Sequence, residues 1–358
     1  MYDQIRQDTI FVMLYAIVMA MAAIASVYLL LRRGNAFAAD ITPPRRLRLW
    51  TAAFFGIMAV GHLWYLPAMV FDSSEAAMLC MLIGALLDCL LTVPVALIVM
   101  LCMLQDRHRP LWPVGVMVLP LVVATVVCIA THSYALVPWA QGYFLLMALG
   151  FTIYMVREVR QYGRWLRDNF ADLEHKEVWQ SLLVLATIML LFCYYVIGYG
   201  GMVYEYIIQV CGLFLTGYLL WRVETLPQLE HVPEEQQPQP STDNFSTIEQ
   251  LLEEYCVKPH LYLQHDLTLS MLVQALGTNR TYLGQYFSHQ DTNYNAYINN
   301  LRINYFIKRY QEPNPTSVSS SVQQLAGESG YRSYSTFSLA FKQRMGKSVT
   351  AWIRESKS

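Results

Sequence analysis

Seven apolar runs of nearly membrane-spanning length lie within the first 221 residues, and they constrain the fold more than any other feature. A helix of about 20 apolar residues crosses the hydrocarbon core of a bilayer. Helices satisfy their own backbone hydrogen bonds in lipid, so apolar runs of this length favour them. The runs are 9–31, 49–71, 78–104, 113–131, 139–156, 178–199 and 203–221. The sequence therefore predicts a seven-helix transmembrane bundle over 1–222.

The composition changes after this region. In the whole chain 55 % of the residues are hydrophobic and 14 % are charged, whereas soluble domains carry about 25 % charged residues. Nearly all of this deficit lies before residue 222, which indicates a membrane half and a soluble half. Between them, 223–244 is rich in Pro, Gln and Glu and predicts a flexible linker. The remaining segment, 245–358, is predicted to be a small all-α domain.

Basic residues predict the orientation of the bundle. Arg32 and Arg33 follow the first run and only Arg6 precedes it, which favours a retained helix over a cleaved signal peptide. Loops on one side of the predicted bundle hold thirteen Lys and Arg, against Arg6 alone on the other side. Because cytoplasmic loops carry the excess of basic residues, the N-terminus is predicted outside and residue 222 onward inside. The predicted location is the cytoplasmic (inner) membrane.

The loop 157–177 is charged and amphipathic. It could continue the fifth apolar run as a cytoplasmic helix and contact the C-terminal domain. His175 beside Lys176 and Glu177 superficially resembles a phospho-acceptor site. A further apolar run begins directly behind it and the chain has no Gly-rich ATP-binding sequence, so phosphotransfer is not predicted.

The segment 321–357 has the pattern of a helix-turn-helix. Val322, Leu325 and Ala326 recur at helical spacing, and Gly330 stands where a tight turn needs a residue that tolerates positive φ. Ser333 can cap a second helix, in which Phe337 and Phe341 fall on one face. In this motif the second helix lies in the DNA major groove.

A similar pattern precedes it. Thr268 is predicted to cap a helix that ends at Gly277, and Asn279 or Thr278 starts the next, with Leu283 and Phe287 pointing inward. A long helix, 294–310, then joins the two units, with Tyr297, Ile298, Leu301 and Tyr305 in register. Two recognition helices joined in this way could enter successive major grooves, about 34 Å apart, on one face of DNA.

These residues resemble the AraC/XylS family of bacterial transcription regulators. The signature comprises Leu325-Ala326, Gly330-Tyr331, Ser333, Phe337, Phe341-Lys342 and Gly346. Tyr331 stands where the family usually has Phe, and Val349 where it usually has Pro at the start of the last helix. Two helix-turn-helix units joined by one helix are also a hallmark of this family. The resemblance therefore covers about 110 residues.

The resemblance implies specific DNA contacts. Polar side chains on the outer, N-terminal part of each recognition helix are expected to face base edges. In the first helix these are Arg280, Thr281 and Gln285, and in the second Tyr334, Ser335, Thr336 and Ser338. Arg280, Arg332 and Lys342 are the expected phosphate partners, and six Lys and Arg against two Glu from residue 328 onward suit the DNA backbone.

Ionisable side chains are few within the apolar runs. His62 lies in the second run, Asp88 in the third and Glu205 at the start of the seventh. Because an intramembrane ionisable group is a functional candidate by default, these three form a hypothetical signal site. The alternative is that Glu205 lies in water at the outer interface and Asp88 is neutral and hydrogen-bonded within the bundle.

The sequence predicts neither catalysis nor a bound cofactor. It contains no H-E-x-x-H, G-x-S-x-G, P-loop or G-x-G-x-x-G motif. The seven Cys form no C-x-x-C pair and six lie in apolar runs, which argues against a zinc site and a disulfide framework.

The prediction is therefore a membrane-anchored, one-component transcription regulator. Its expected partners are double-stranded DNA, the lipid bilayer, RNA polymerase and an envelope, lipid or small-molecule signal. Coupling could run through a homodimer, through presentation of the DNA-binding domain, or through its release by proteolysis in the linker. The rival interpretation is a membrane receptor or transporter that carries an accessory DNA-binding tail.

Overall fold

The structure is a computed structural model that describes residues 8–32, 35–37, 41–70, 74–184, 187, 201–229, 245–312 and 321–357. Within these ranges the chain is helical and has no β-strand, only an isolated bridge between Phe170 and Thr268. This confirms the predicted all-α class. The chain divides into two compact units, the first from 1–160 and 178–231 and the second from 161–177 and 232–358.

The first unit is built from long apolar helices. They are α1 (Thr9–Leu31), α2 (Arg45–Val70), α3 (Ser74–Leu87), α4 (Val93–Cys102), α5 (Trp112–Ala130), α6 (Val137–Asn169) and α7 (Met202–Thr225). A π-helical turn, Asp88–Thr92, connects α3 to α4, so that these two form one apolar helix. The last turns of α6, from Gln161, belong to the second unit.

Six of the described helices are long and apolar enough to cross a membrane, counting α3 and α4 as one. They correspond to six of the seven predicted runs. The other run, 178–199, lies mostly outside the described residues, although residues 179–184 are helical. In α1, Phe11 and Val18 are buried while Ile10 and Leu31 are more than two-thirds exposed. An extended apolar exposed face of this kind is typical of a surface that contacts lipid or protein.

Polar contacts join segments of the first unit that are distant in sequence. Arg107 and Arg109 donate to the two carboxylate oxygens of Glu158 at 2.6 and 2.7 Å, and Arg109 also pairs with Asp106. Arg109 and Glu158 are buried. The two arginines counted as orienting charges in the sequence therefore also anchor the loop before α5 to α6.

The start of the predicted linker requires a correction. The segment 223–244 was expected to be flexible, but α7 continues to Thr225, and Val223 and Glu224 are buried. The carboxylate of Glu224 accepts hydrogen bonds from the Tyr28 hydroxyl and the Ala36 backbone N–H. These contacts extend α7 by three residues beyond the predicted end. Residues 230–244 lie outside the described part of the chain.

In the part of the second unit that the structure describes, further α-helices follow residue 244. They are α8 (Phe245–Leu252), α9 (Leu269–Leu276), α10 (Arg280–His289), α11 (Tyr294–Gln311), α12 (Val322–Glu328), α13 (Tyr334–Met345) and α14 (Val349–Lys357). A π-helical turn, Glu253–Val257, follows α8, where the sequence predicted one helix over 248–256. Helix α14 begins at Val349, although this position lacks the expected Pro, and the backbone N–H of Ala351 donates to the Ser348 hydroxyl.

Two apolar clusters form the core of this unit, and α11 contributes to both. Tyr294 and Ile298, at its N-terminal end, pack in the first cluster with residues of α8, α9 and α10. Ile303 and Phe306, further along, pack in the second cluster with residues of α12, α13 and α14. Each cluster supports one helix-turn-helix, so α11 fixes the spacing of the two recognition helices.

Candidate nucleic-acid interface

The first helix-turn-helix consists of α9 and α10. Thr268 caps α9, and Gly277 ends it with a φ of +61°. Of the two starts that the sequence left open, Asn279 caps α10, because its side chain accepts a hydrogen bond from the Tyr282 N–H. Buried Leu283 holds the inner face of α10 against the first cluster. The cap and the apolar contact together determine which side chains α10 exposes.

The predicted groove-facing residues of α10 lie on its outer side. Thr281 and Gln285 are exposed, and Arg280 is half-buried. All three line a cavity of about 750 Å³, whose wall also includes Asp168 and Asn169 from the end of α6. The predicted DNA-facing surface of this half is therefore concave and shared with the 161–177 segment.

The second helix-turn-helix consists of α12 and α13. Ser333 caps α13 by accepting from the Thr336 N–H at 3.2 Å, and Phe337 and Phe341 are fully buried on its inner face. Tyr334 and Ser335 are exposed, whereas Thr336 and Ser338 are half-buried. The structure thus brings the predicted residues of α13 together on its first turns. It does so through the serine cap and phenylalanine face identified in the sequence.

The predicted phosphate partners differ in their present contacts. Arg332 forms a salt bridge with Asp266 at 2.5 Å, and both side chains are about half exposed. An exposed pair of this kind contributes at most about 1 kcal/mol, so the Arg332 guanidinium can exchange it for another anion. Lys342 is exposed on α13.

Gly330 occupies a position that other residues cannot adopt without strain. Its φ is +90°, and a Cβ atom there would lie 2.8 Å from the Leu263 carbonyl oxygen and 2.9 Å from Arg302 Nε. The turn between α12 and α13 is therefore packed directly against the chain that precedes α9. Gly277, in the same position of the first helix-turn-helix, has no atoms within 4 Å of such a Cβ.

Arg302 is a structural residue of this unit that the sequence reasoning missed. Its side chain is fully buried and donates to the carbonyl oxygens of Tyr262 and Gln264, both at 2.7 Å. The guanidinium also lies over the Tyr331 ring at 5.5 Å. Burial lowers the pKa of Arg302 from its ordinary value. Arg302 thus joins the loop of the first half to the turn of the second. In the sequence, its spacing of four residues from both Ile298 and Phe306 indicates that it lies on the buried face of α11.

The 161–177 segment contacts this unit at several points. Asn295 Nδ2 donates to the carbonyl oxygens of Phe170 and Ala171 at 3.0 and 2.7 Å, and Ala171 is buried in the first cluster. Further along, one carboxylate oxygen of Glu174, Oε2, accepts from the hydroxyls of Ser333 and Thr336, both at 2.7 Å. The expectation that 157–177 continues the fifth run and reaches the C-terminal domain is met by α6 and these contacts.

The predicted signal residues of the first unit have separate partners. His62 Nε2 lies 3.2 Å from Gln209 Oε1 on α7, and Asp88 accepts from Tyr65 and Thr92 at 2.8 Å. Glu205 is half-buried in the first turn of α7. No hydrogen bond joins any two of His62, Asp88 and Glu205, all of which lie in the described ranges. Asp88 also borders a mainly apolar cavity of about 480 Å³.

The part of the chain that the structure describes contains no group of three His, Cys, Asp or Glu able to hold a metal ion. Six described Cys are free thiols, and Cys256 is fully buried in the first cluster of the second unit. Burial raises the pKa of the Cys256 thiol to about 11.

The comparison with known families agrees with this geometry. Residues 272–355 match a family model described as a helix-turn-helix domain, which is of the AraC type. The match spans α9 to α14 and so includes both recognition helices. No curated protein and no solved structure matches the chain. The C-terminal segment is thus an AraC-type DNA-binding domain, and the chain has the DNA-binding part of a transcription regulator.

Proposed function

We propose that the chain is a membrane-anchored, one-component transcription regulator. Its parts are a transmembrane sensor that ends with α7 at Thr225, a linker between α7 and residue 245, and an AraC-type DNA-binding domain over 245–358, which we call the reader. The observation that carries the proposal is the presence, in one chain, of six apolar helices of spanning length and a double helix-turn-helix. The excess of Lys and Arg on one side of the predicted bundle supports a reader in the cytoplasm. There it would meet DNA and RNA polymerase.

DNA reading is assigned to the outer faces of α10 and α13. Arg280, Thr281 and Gln285 would contact one major groove, and Tyr334, Ser335, Thr336 and Ser338 the next. Their placement on the first turns of two capped helices supports this assignment. Arg332 and Lys342 would bind phosphates, which supply affinity and salt dependence but no sequence discrimination.

The sensing site is assigned to the bundle. Asp88 has the strongest support, because it lies in a π-helical turn beside a cavity, and such turns are frequent at functional sites. His62 and Glu205 complete the proposed site. The mainly apolar lining of the cavity favours a lipid or an apolar small molecule as the signal.

The test of DNA reading uses the full-length protein in nanodiscs and a 40-base-pair duplex from the strongest site found by genome-wide crosslinking. Tyr334→Ala should reduce the preference for this duplex over a shuffled one about tenfold, because a base contact carries roughly 1–3 kcal/mol of discrimination. Lys342→Ala should weaken binding to both duplexes and reduce the salt slope by about one. Lys258→Ala removes another exposed lysine, outside both recognition helices, and is the matched control.

Equal affinity of the wild-type protein for the mapped and shuffled duplexes, over the whole salt range, would contradict sequence-specific reading. The membrane assignment is tested separately, with a tag after Ser358 in intact and permeabilised cells. Labelling only after permeabilisation is expected. Labelling of intact cells would place the reader outside the cytoplasm and exclude the proposed regulator.

A further inference from the structure

We propose that the 161–177 segment is an intramolecular partner of the DNA-reading surface, and that it competes with DNA for both recognition helices. The inference rests on the proposed function, because it concerns the same surface. It goes further by naming the occupant of that surface in the absence of DNA. The contacts of Glu174, Asp168 and Asn169 carry it.

The most direct contact is at the start of α13. Glu174 Oε2 accepts from Ser333 and Thr336, which are the cap and a predicted base-reading residue of this helix. A helix N-terminus with two hydroxyl donors is a favourable site for an anionic oxygen. DNA would use these same donors, since phosphate oxygens and base edges also accept hydrogen bonds from hydroxyls. Glu174 therefore occupies a position that bound DNA needs.

The charge state of Glu174 agrees with this role. Partial burial raises its pKa, but the hydrogen bonds from Ser333 and Thr336 and the neighbouring charges of His175 and Lys176 outweigh burial, so that the pKa lies below its ordinary value. The carboxylate is thus ionised at neutral pH. Charge-assisted hydrogen bonds are about twice as strong as neutral ones.

The same segment also lies beside the first recognition helix. Asp168 and Asn169 line the cavity that contains Arg280, Thr281 and Gln285. An acidic side chain thus lies beside a predicted phosphate partner. Because one continuous stretch of the chain meets both helices, DNA could not occupy both reading surfaces while the segment stays in place.

Backbone contacts hold the segment in register. Asn295 and Asn299 on α11 donate to the carbonyl oxygens of Phe170 and Ala171, and Phe170 forms a β-bridge with Thr268. The side chain of Ala171 is buried in the first cluster. The segment is therefore packed into the unit as one of its parts, and Glu174 is positioned by contacts other than its own.

Both ends of the segment continue into the first unit, at residues 160 and 178. A change in the bundle would thus reach the segment through the covalent chain on either side. In this mechanism the signal withdraws residues 168–174 from the recognition helices, and DNA takes their place.

The test compares full-length wild-type protein with Glu174→Gln in nanodiscs, using the mapped 40-base-pair duplex and its shuffled version. Glu174→Gln should bind the mapped duplex about tenfold more tightly, since neutral hydrogen bonds to Ser333 and Thr336 are weaker than charge-assisted ones and the competitor is weakened. Glu174→Asp keeps the charge but shortens the side chain, and an increase of about threefold is expected. Glu254→Gln removes an exposed charge from the same unit, and its affinity should stay within about twofold of wild type.

A second measurement needs no variant. In the wild-type protein, adding the mapped duplex should increase amide hydrogen exchange in residues 170–174, because DNA displaces the segment. Equal affinities of wild type and Glu174→Gln, or unchanged protection of 170–174 in the DNA complex, would overturn the competition while leaving DNA reading intact. Failure of every variant to prefer the mapped duplex would instead overturn the proposed function and this inference with it.

Discussion

The two halves of the DNA-binding unit share one motif but are held in place differently. In each, a polar cap starts the recognition helix and a glycine with positive φ makes the turn. The turn at Gly277 is open, whereas Gly330 is packed against Leu263 and Arg302. The start of α10 borders a cavity, whereas the start of α13 donates hydrogen bonds to the carboxylate of Glu174. The motif thus sets the local geometry, while residues distant in sequence determine how tightly each half is restrained.

The largest effect is expected from removing the side chain that joins the two halves. Arg302→Leu should lower the free energy of unfolding of the second unit by about 4 kcal/mol, because two buried carbonyl groups lose their charged donor. Native-state hydrogen exchange on the full-length protein would measure this change. The matched control is Arg309→Leu on the same helix, whose exposed pair with Glu312 should contribute little to stability because solvent screens it. Similar losses for both variants would show that Arg302 does not join the halves.

The two turn glycines provide the next test. Gly330→Ala should destabilise the second unit by about 3 kcal/mol, because a positive φ is strained for alanine and the added Cβ meets backbone and Arg302 atoms. Gly277→Ala adds only the backbone strain, about 1 kcal/mol, since its surroundings are open. Amide hydrogen exchange in α9 and α13 would measure the loss of stability in each of the two variants. Equal costs would contradict the proposed difference between the two turns.

The smallest effect on stability concerns Cys256, which lies in the first cluster only. Burial raises the pKa of its thiol to about 11 from 9.0. The folded state holds this proton more tightly than the unfolded state, so its stabilising contribution is complete below pH 9.0 and is lost as the pH rises towards about 11. Iodoacetamide at pH 8 should alkylate Cys256 roughly a hundredfold more slowly in the folded protein than in urea. Equal rates, measured by mass spectrometry, would show that the first cluster is open to solvent.

Local signals in the sequence were sufficient for the caps and turns of the two helix-turn-helix motifs. Ser333 and Asn279 cap because their side chains reach backbone groups three residues away. Such contacts depend on neighbours in the chain, so spacing alone predicts them. The contact between Glu174 and Ser333 spans 159 residues and depends on how separate segments pack, which no local pattern encodes.

Charged residues were the least predictable. Arg302 stands between apolar neighbours in sequence, but its spacing places it on the buried face with Ile298 and Phe306, where backbone carbonyls compensate its charge. Arg107 and Arg109 were predicted to be basic residues of a loop. Their shared partner Glu158 was not predicted, because it lies about fifty positions away in the sequence. A charge is predicted to be exposed unless its partner is known, and the partner is a property of the fold.

The assembly of the second unit from two separate stretches has a consequence for modularity. A chimera that grafts 245–358 onto an unrelated anchor would leave behind residues 161–177, and with them Ala171 of the core and the carboxylate at α13. Such a fusion is expected to bind its DNA sites more tightly than the full-length chain does, because the competing carboxylate of Glu174 is missing. The DNA-binding domain would therefore be exchangeable between proteins only when the stretch 161–177 travels with it.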